Sequence, residues 1–258
     1  MIKTYLKNTR LWILISYSNF YQKIRNPEGY AKTKREIIFY TNLLESIEFR
    51  NNLIFDVGAN IGNKSVIFAK IAKNVIAFEP TERLFLLLKK RLKHTNVKML
   101  NYALGSSVSS LEFFVIEGND AYNSLSKKHI ETTATQRDIA KVENVSTRTV
   151  HVDTLENAIQ QFGIPKYIKI DVEGYEYEVI KGLNNSITLI SFEVNLPDFL
   201  NESIKIIEYL AALSDDKYLF NFTADGPFLN ETFINKVHAI RFLTTSPLKY
   251  MEVYAKLY

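Results

Sequence analysis

The chain has 258 residues, of which 47% are hydrophobic and 23% are charged, and it contains no cysteine. This length and composition predict one soluble domain with a sizeable core, and they require no second domain. The absence of cysteine excludes disulfides, thiolate metal sites and a cysteine nucleophile, and it fits a reducing compartment.

Basic residues are concentrated at the start of the chain, although the formal net charge of the whole is only +4. Residues 1–36 contain eight Lys or Arg side chains and two Glu. We predict that residues 1–50 form a basic, mainly helical segment whose apolar side packs on the rest of the chain, on a substrate or on a second subunit. The charge would also allow peripheral contact with an anionic membrane surface, whereas no nucleic-acid partner is expected.

The first residues predict neither a membrane span nor a cleaved signal. The apolar run at residues 11–15 is far too short to cross a bilayer. It resembles a weak secretory signal, but the small-residue cleavage site is missing. We therefore expect a cytoplasmic protein, at most associated with the cytoplasmic face of a membrane.

Residues 53–62 predict a ligand-binding turn. The apolar run at the start of this stretch is typical of a strand buried on both faces of a parallel sheet, and the strand ends at Asp56. Gly58 can adopt backbone angles closed to other residues, and Gly62 would let the following helix pack close to the strand. Asn60 and the backbone N–H groups of that helix would face a ligand at the strand end.

A second apolar strand, residues 74–78, ends at Glu79. Helices are predicted over residues 61–72 and 81–93, the second of them starting after Pro80. In a doubly wound sheet the ends of the first two strands lie side by side. An acid about twenty residues beyond the glycine turn can then accept hydrogen bonds from both hydroxyls of a ribose, and Glu79 has this position.

The glycine spacing favours S-adenosylmethionine over a dinucleotide. Dinucleotide-binding folds use G-x-G-x-x-G, whose crowded glycines admit a pyrophosphate. Here the pattern is Asp56-x-Gly58-x-x-x-Gly62. An acid ahead of the first glycine would repel a pyrophosphate and attract a cationic amino-acid group, directly or through water.

The sequence resembles the FkbM family of S-adenosylmethionine-dependent methyltransferases over residues 53–194. The motifs that carry the resemblance are Asp-Val-Gly-Ala-Asn-Ile-Gly at 56–62, Phe-Glu-Pro at 78–80, Val-Asp-Thr-Leu at 152–155, Ile-Lys-Ile-Asp-Val-Glu-Gly-Tyr-Glu at 168–176 and Ser-Phe-Glu at 191–193. The resemblance implies an α/β, Rossmann-like class I methyltransferase domain over residues 51–258, with a seven-stranded, mostly parallel sheet and helices on both faces. It also implies O-methylation, most plausibly of a sugar hydroxyl on a glycan or glycosylated natural product.

The third strand is predicted at residues 97–101. In this fold its end lies beside the adenine, so the Asn101 amide or the Ala103 backbone could pair with the adenine edge. Asn101 as an ordinary turn residue is the alternative. A further strand is predicted at residues 111–116.

Residues 117–148 are polar and contain few large apolar side chains. A polar stretch of this length indicates either a substrate-side lid or a disordered loop. Asn123 and Ser124 match a family position near the cofactor. A strand over residues 145–152 and a helix from Thr154 follow.

The fourth parallel strand, residues 167–171, carries the predicted chemistry. Ligands of open parallel sheets lie outside the carboxyl ends of the strands, so Asp171 should face the cofactor and the transferred methyl group. O-methyl transfer needs a group that takes the hydroxyl proton, and Asp171 or Glu173 could serve. The alternative for Glu173 and Glu176 is that they stabilise a helix N-terminus.

The fifth strand, residues 189–195, ends near Glu193 and Asn195. These two residues and Asp171 could converge as oxygen ligands for magnesium, which the spacing permits without requiring. Of the four histidines, only His238 is predicted to reach the site, and a surface histidine is the alternative. A helix over residues 203–214 is predicted next.

The end of the chain predicts the strands that complete the sheet. These are residues 218–222, 238–243 and 250–257. Neither the acceptor nor the oligomeric state follows from the sequence, and an oligomer stays open.

Two other functions use the same sheet. A NAD-dependent oxidoreductase would need the dinucleotide glycines, which are missing. A non-catalytic nucleotide-binding module would dock through the basic N-terminal segment.

Overall fold

The computed structural model describes residues 23–47, 52–116, 123–136 and 145–258. The first 22 residues of the predicted N-terminal segment, and residues 117–122 and 137–144 of the predicted lid, lie outside the described residues. The strands are β1 Leu53–Val57, β2 Asn74–Phe78, β3 Val97–Leu100, β4 Ala103–Gly105, β5 Ser109–Ile116, β6 Val145–Thr154, β7 Tyr167–Ile170, β8 Leu189–Asn195, β9 Tyr218–Thr223 and β10 Tyr250–Leu257. The helices are α1 Pro27–Glu45, α2 Asn63–Ile71, α3 Glu82–Leu92, α4 Lys127–Gln136, α5 Leu155–Phe162, α6 Glu176–Lys181, α7 Leu200–Leu213 and α8 Lys236–Thr245.

The central sheet has seven strands in the order β3-β2-β1-β7-β8-β10-β9. The pairs from β3 to β8 are parallel, and β10 is antiparallel to both of its neighbours. This arrangement confirms the predicted seven-stranded, mostly parallel sheet. A separate three-stranded sheet, β4-β6-β5, was not predicted as a sheet of its own.

Both faces of the central sheet are buried, as the continuous apolar strands indicated. In β1 all five residues are buried. Leu53, Phe55 and Val57 belong to a core cluster that includes residues of α5, α6, α7 and α8. Ile54 belongs to a cluster on the other face, with residues of α1, α2 and α3. Successive side chains of a strand point to opposite faces, so helices cover the sheet on both sides.

The parallel register brings the predicted site residues to one edge of the sheet. Val57 pairs with Phe78 of β2 and with Ile170 of β7, and Ile170 pairs with Phe192 of β8. The residues that follow these strands therefore lie side by side.

One predicted strand is wrong. Residues 238–243 lie in helix α8, which begins after Asn235. The Asn235 side chain accepts a hydrogen bond from the His238 backbone N–H, which is a typical helix cap. Ala239 and Leu243, four residues apart, are the buried positions of the helix. The short apolar run was therefore one face of a helix.

The predicted domain boundary at residue 50 stays a prediction. Helix α1 contributes Tyr40, Leu43 and Leu44 to the same core cluster as Tyr167 of β7 and Tyr254 of β10. In the described part of the chain, no helix combines the length and the apolar character needed to span a bilayer.

Candidate active site

Two cavities meet at the carboxyl edge of the parallel strands. The first, which we name the turn cavity, has a volume of about 120 Å³ and is lined by Gly58, Asn60 and Glu79, among others. The second, the α1 cavity, has a volume of about 320 Å³ and lies between α1 and the sheet. Asp171 lines both cavities.

Gly58 allows the ends of β1 and β7 to approach each other. Its φ is +81°, and a Cβ at this position would overlap the backbone oxygen of Asp171. Gly62, with φ +82°, also needs the absence of a side chain, but for a different reason from the predicted one. A Cβ there would lie 2.5 Å from Leu88 Cδ1 of α3, so Gly62 makes room for the next helix rather than for β1.

Glu79 is held rigidly at the end of β2. Its Oε2 accepts a hydrogen bond from the Asn60 backbone N–H at 2.9 Å, and its Oε1 accepts one from the Thr81 backbone N–H at 2.8 Å. Burial raises the pKa of Glu79, while these two hydrogen bonds oppose the shift. Both Glu79 and Asn60 line the turn cavity, and their contacts with a cofactor stay predictions.

Asp56 lies beneath the site and lines neither cavity. It is 0% exposed, and its Oδ2 accepts a hydrogen bond from Ser65 Oγ at 2.5 Å. Its Oδ1 lies 4.0 Å from the Nζ of Lys169. Burial raises the pKa of Asp56, and the Lys169 ammonium opposes that shift. In the structure Asp56 contacts a buried lysine, and its predicted role at the amino-acid end of the cofactor, directly or through water, stays a prediction.

Asn101 also has a different environment from the predicted one. Its Nδ2 donates to the backbone oxygens of Glu79 and Pro80, at 2.9 and 3.0 Å, and it borders a separate polar cavity. The turn-residue alternative thus describes Asn101 better than adenine recognition. Ala103 does line the turn cavity.

Asn123 offers a donor to the turn cavity. Its Oδ1 accepts a hydrogen bond from the Ile116 backbone N–H at 2.8 Å. Its Nδ2 is buried and has no hydrogen-bond partner within the described residues. A buried amide donor that lines a cavity is suited to a polar atom of a ligand.

Lys169 is the main residue that the sequence analysis missed. It is 4% exposed, and its Nζ lies 2.7 Å from Asp171 Oδ2. Burial opposes the charge on Asp171, but the Lys169 ammonium and hydrogen bonds outweigh burial and lower the pKa of Asp171 to about 2. The signal was a lysine inside an otherwise apolar strand, which is rarely found unpaired.

Asp171 and Glu193 are hydrogen-bonded to each other and have opposite pKa shifts. Burial, and then the charge of Asp171, raise the pKa of Glu193 well above its ordinary value. Since Lys169 keeps Asp171 ionised, the proton resides on Glu193, which is hydrogen-bonded to Asp171.

The carboxylate cluster contains two residues of the predicted metal set, Asp171 and Glu193, and adds Glu173. Asp171, Glu173 and Glu193 each offer an oxygen, and these oxygens lie within 4.8 Å of one another. The Nδ2 of Asn195 instead donates to Glu193 Oε1 at 3.3 Å, so Asn195 positions a member of the cluster. Glu173 joins the cluster through a backbone with φ +55°, and its backbone oxygen accepts a hydrogen bond from Ser124 Oγ at 2.6 Å.

The histidine beside the site is His129, not His238. His129, on α4, is 5% exposed, and its Nε2 lies 3.4 Å from Glu173 Oε2. Burial lowers the pKa of His129 to about 4, so the ring is neutral at pH 7. His238 is exposed at the start of α8, where its Nδ1 is hydrogen-bonded to Asn235. The polar composition of residues 117–148 concealed the helix that carries His129.

The α1 cavity has a charged floor and a charged rim. Lys169, Asp171, Glu193 and Glu252 lie on strands or strand ends, whereas Lys32 and Arg35 come from α1 and Lys64 from α2. Aromatic side chains of α1 and β10 complete the wall: Phe39, Tyr40, Tyr250 and Tyr254.

A family model described as the methyltransferase FkbM domain matches residues 56–224. The chain belongs to this family. The match covers about two thirds of the chain and includes the end of β1, the glycine turn, β7 and the carboxylate cluster. It confirms the resemblance drawn from the motifs, and with it the assignment to the methyltransferases.

Individual relatives agree with this family. The hexuronic acid methyltransferase AglP of Haloferax volcanii is 32% identical over 156 residues, which are 59% of this chain and 58% of AglP. The matched part thus spans little more than half of that relative. Two solved structures are similar to the chain at low identity. The plantazolicin methyltransferase BpumL with S-adenosylhomocysteine gives 12% identity and a TM-score of 0.44, with 100% of this chain and 99% of that chain covered. The precorrin-6y C5,15-methyltransferase of Geobacter metallireducens gives 11% identity and a TM-score of 0.41, with 84% of this chain and 87% of that chain covered.

Proposed function

We propose that the protein transfers the methyl group of S-adenosylmethionine to a hydroxyl oxygen of a sugar. The observation that carries this proposal is the position of Asp171, which lines both cavities. A donor in the turn cavity and an acceptor in the α1 cavity would meet at this carboxylate. The similarity to the hexuronic acid methyltransferase AglP supports a sugar acceptor.

The turn cavity offers groups suited to the nucleoside. Each oxygen of Glu79 accepts one backbone hydrogen bond, which leaves a lone pair for a ribose hydroxyl. Asn123 Nδ2 is proposed to donate to the adenine, beside the backbone of Ala103. Phe78 and Tyr102 supply apolar surface for the base.

The reaction is a displacement at the methyl carbon. The acceptor oxygen forms a bond to that carbon while the carbon–sulfur bond breaks, and its electron pair stays on sulfur to give S-adenosylhomocysteine. The hydroxyl proton passes to a carboxylate. Asp171, held ionised by Lys169, is a weak proton acceptor and is suited to orienting the hydroxyl. Glu173, which contacts the neutral His129 ring, is the proposed base.

The cofactor assignment is tested by calorimetric titration with S-adenosylhomocysteine and, for comparison, NAD. We expect the first ligand to bind and Glu79→Gln to weaken it by about 1–3 kcal/mol, because a charged hydrogen-bond acceptor is lost. Asn123→Ala should weaken it as well. Asn101→Ala is the matched control for the adenine assignment, since its amide is bonded to backbone oxygens. Tighter binding of NAD would contradict the proposal.

A second proposal is that the carboxylate cluster binds Mg²⁺ together with the acceptor. The cluster of three carboxylate oxygens supports it, because Mg²⁺ binds one or two carboxylates and keeps several waters. The Lys169 ammonium, 2.7 Å from Asp171, already supplies one positive charge. We expect EDTA to abolish methyl transfer, and added Mg²⁺ to restore it, without change in S-adenosylhomocysteine binding. Full activity in EDTA would contradict the magnesium proposal and would mean that the Lys169 ammonium balances the negative charge of the cluster without a metal ion.

Association with the cytoplasmic face of a membrane remains a proposal for the basic residues 1–36. Co-sedimentation with vesicles that contain phosphatidylserine, compared with pure phosphatidylcholine vesicles, tests it. A binding module without catalysis would bind vesicles and S-adenosylhomocysteine and transfer no methyl group to any sugar. Light scattering of the same sample gives the oligomeric state.

A further inference from the structure

The α1 cavity is polarised along its depth. Its floor carries the carboxyl groups of Asp171, Glu193 and Glu252, and the charge of the buried Lys169 is directed at Asp171. Its rim carries three cationic side chains from α1 and α2 and two carboxylates, those of Glu36 and Asp225. Lys169 balances Asp171, and Glu193 is protonated, so within the described ranges Glu252 supplies the negative charge of the floor that no cation balances. An acidic group of a ligand would therefore be attracted to the rim rather than to the floor.

The cations of the rim differ in whether they are already paired. Lys32 Nζ lies 2.7 Å from Asp225 Oδ1, and Lys64 Nζ lies 2.8 Å from Glu36 Oε1. Arg35 is exposed on the same rim and has no ion pair or hydrogen bond to its side chain among the described residues. Its guanidinium is thus available to a ligand, whereas the two ammonium groups are neutralised by the protein.

We propose that the acceptor sugar carries an acidic group, a carboxylate or a phosphate, that Arg35 binds at the rim of the α1 cavity. The planar guanidinium donates two parallel hydrogen bonds to such a group. This proposal rests on the proposed function and specifies its substrate class.

The charge distribution also fixes the direction in which the acceptor binds. The acidic group stays at the rim with Arg35, and a hydroxyl on the far side of the ring reaches Asp171. The aromatic side chains of Phe39 and Tyr250 also line the α1 cavity, and Tyr250 is 42% exposed, so they can pack on the apolar face of a sugar ring. Arg35 is therefore a specificity residue that acts on the orientation of the acceptor.

Three acceptors that differ at one carbon test the proposal. These are methyl β-glucoside, the corresponding methyl glucuronide and methyl glucoside 6-phosphate. Methyl transfer to each is measured with the wild type, with Arg35→Ala and with Lys34→Ala. Lys34 is the matched control, because it is an exposed cation of the same helix that does not line the α1 cavity.

We expect kcat/KM for at least one acidic glycoside to exceed that for the neutral glucoside by about tenfold or more. Arg35→Ala should remove this preference, chiefly through KM, and Lys34→Ala should keep it. The ranking of glucuronide and 6-phosphate distinguishes the two acidic groups. Equal transfer to all three glycosides would overturn the inference and leave the proposed function intact.

Binding of the same glycosides to the complex with S-adenosylhomocysteine separates the two proposals. If none is methylated but the acidic ones bind and Arg35→Ala abolishes their binding, the inference holds and the proposed reaction is wrong for these sugars. If the acidic glycosides bind no better than the neutral one, the inference fails.

Discussion

Lys169 organises the charges beneath the site. It is a buried ammonium between two aspartates, 2.7 Å from Asp171 and 4.0 Å from Asp56. Burial alone would lower its pKa, but the two carboxylates outweigh burial and raise it. The lysine therefore stays charged and keeps Asp171 ionised at the junction of the two cavities.

Replacing this ammonium should lower both the stability of the fold and the rate of methyl transfer. We predict that Lys169→Met lowers the free energy of unfolding by about 3–5 kcal/mol, because it leaves buried carboxylates without a cation. Methyl transfer should fall sharply as well. Chemical denaturation measures the first effect. Lys98→Met, on the edge strand β3 where the side chain is exposed, should change stability by less than about 1 kcal/mol.

A second substitution separates charge from packing. If the lost charge pair is the cause, Asp171→Asn should destabilise the Lys169→Met variant less than it destabilises the wild type. Additive effects of the two substitutions would show that the ammonium does not compensate Asp171.

His129 should make stability depend on pH. Its pKa is about 6.5 in an unfolded chain and about 4 in the folded protein, because burial disfavours the charged ring. The unfolded state therefore binds more protons between these values, and the contribution of His129 to stability rises with pH from about 4 to 6.5. The charge of Asp171 opposes the shift, and Glu173 Oε2 lies 3.4 Å from the ring nitrogen Nε2.

The measurement is the difference between wild type and His129→Gln. We predict that this difference changes in favour of the wild type by up to about 3 kcal/mol between pH 4 and 7. Carboxyl groups such as Glu79 and Glu193 have raised pKa values, so their contributions to stability fall as the pH rises. These contributions are common to both proteins and cancel in the difference. A difference that stays constant with pH would show that folding leaves the pKa of His129 at its unfolded value.

At the scale of elements, the parallel strands set the site. Backbone hydrogen bonds fix which strand ends lie together: the Asp171 N–H donates to the Val57 oxygen at 3.0 Å, and the Gly58 N–H donates to the Phe78 oxygen at 3.1 Å. Gly58 is the point where three strands converge. Any side chain there would collide with backbone rather than with a movable group.

We predict that Gly58→Ala lowers the free energy of unfolding by several kcal/mol or prevents folding, and abolishes binding of S-adenosylhomocysteine. Both the positive φ and the overlap with the Asp171 oxygen contribute. The control is Gly226→Ala, in the turn after β9, where a Cβ would meet nothing closer than 3.8 Å. Thermal unfolding of the two variants should differ clearly. Equal behaviour would mean that β1 and β7 can separate without cost.

Sequence predicted those elements whose pattern is local. Buried parallel strands are continuous apolar runs, so β1, β2 and β7 were found with the acids that follow them. The run at 238–243 fits either a short strand or one face of a helix, and the Asn235 cap that decides between them lies outside the run. The three-stranded sheet depends on pairing between distant segments, which no local pattern specifies.

The site was predictable to the same extent. Glu79, Asn60 and Asp171 follow from strand ends, because topology alone places them. The contacts between side chains do not follow from topology. Asp56 lies 4.0 Å from Lys169, and Glu173 joins Asp171 and Glu193 from an exit turn with positive φ. These contacts depend on side-chain packing across several elements.

At the scale of the whole molecule, helix α1 both packs in the core and lines the α1 cavity, where the acceptor is proposed to bind. Tyr40 is 1% exposed, and its ring lies 5.1 Å from that of Phe68 and 6.0 Å from that of Tyr167. Ile38, two residues earlier on the same helix, is 60% exposed and lines the α1 cavity. The helix thus packs on the central sheet through one face while other residues line the α1 cavity.

This packing predicts that α1 unfolds together with the sheet. Tyr40→Ala should lower the free energy of unfolding by about 3–5 kcal/mol, since a large buried side chain is removed from a core that it shares with Tyr167 and Tyr254. Ile38→Ala, on the same helix, should cost less than about 1 kcal/mol because its side chain is mostly exposed. Denaturation followed by both fluorescence and circular dichroism should give one coincident transition for each variant. Two separate transitions, with Tyr40→Ala affecting only the first, would instead assign residues 1–50 to a unit that unfolds independently of the sheet.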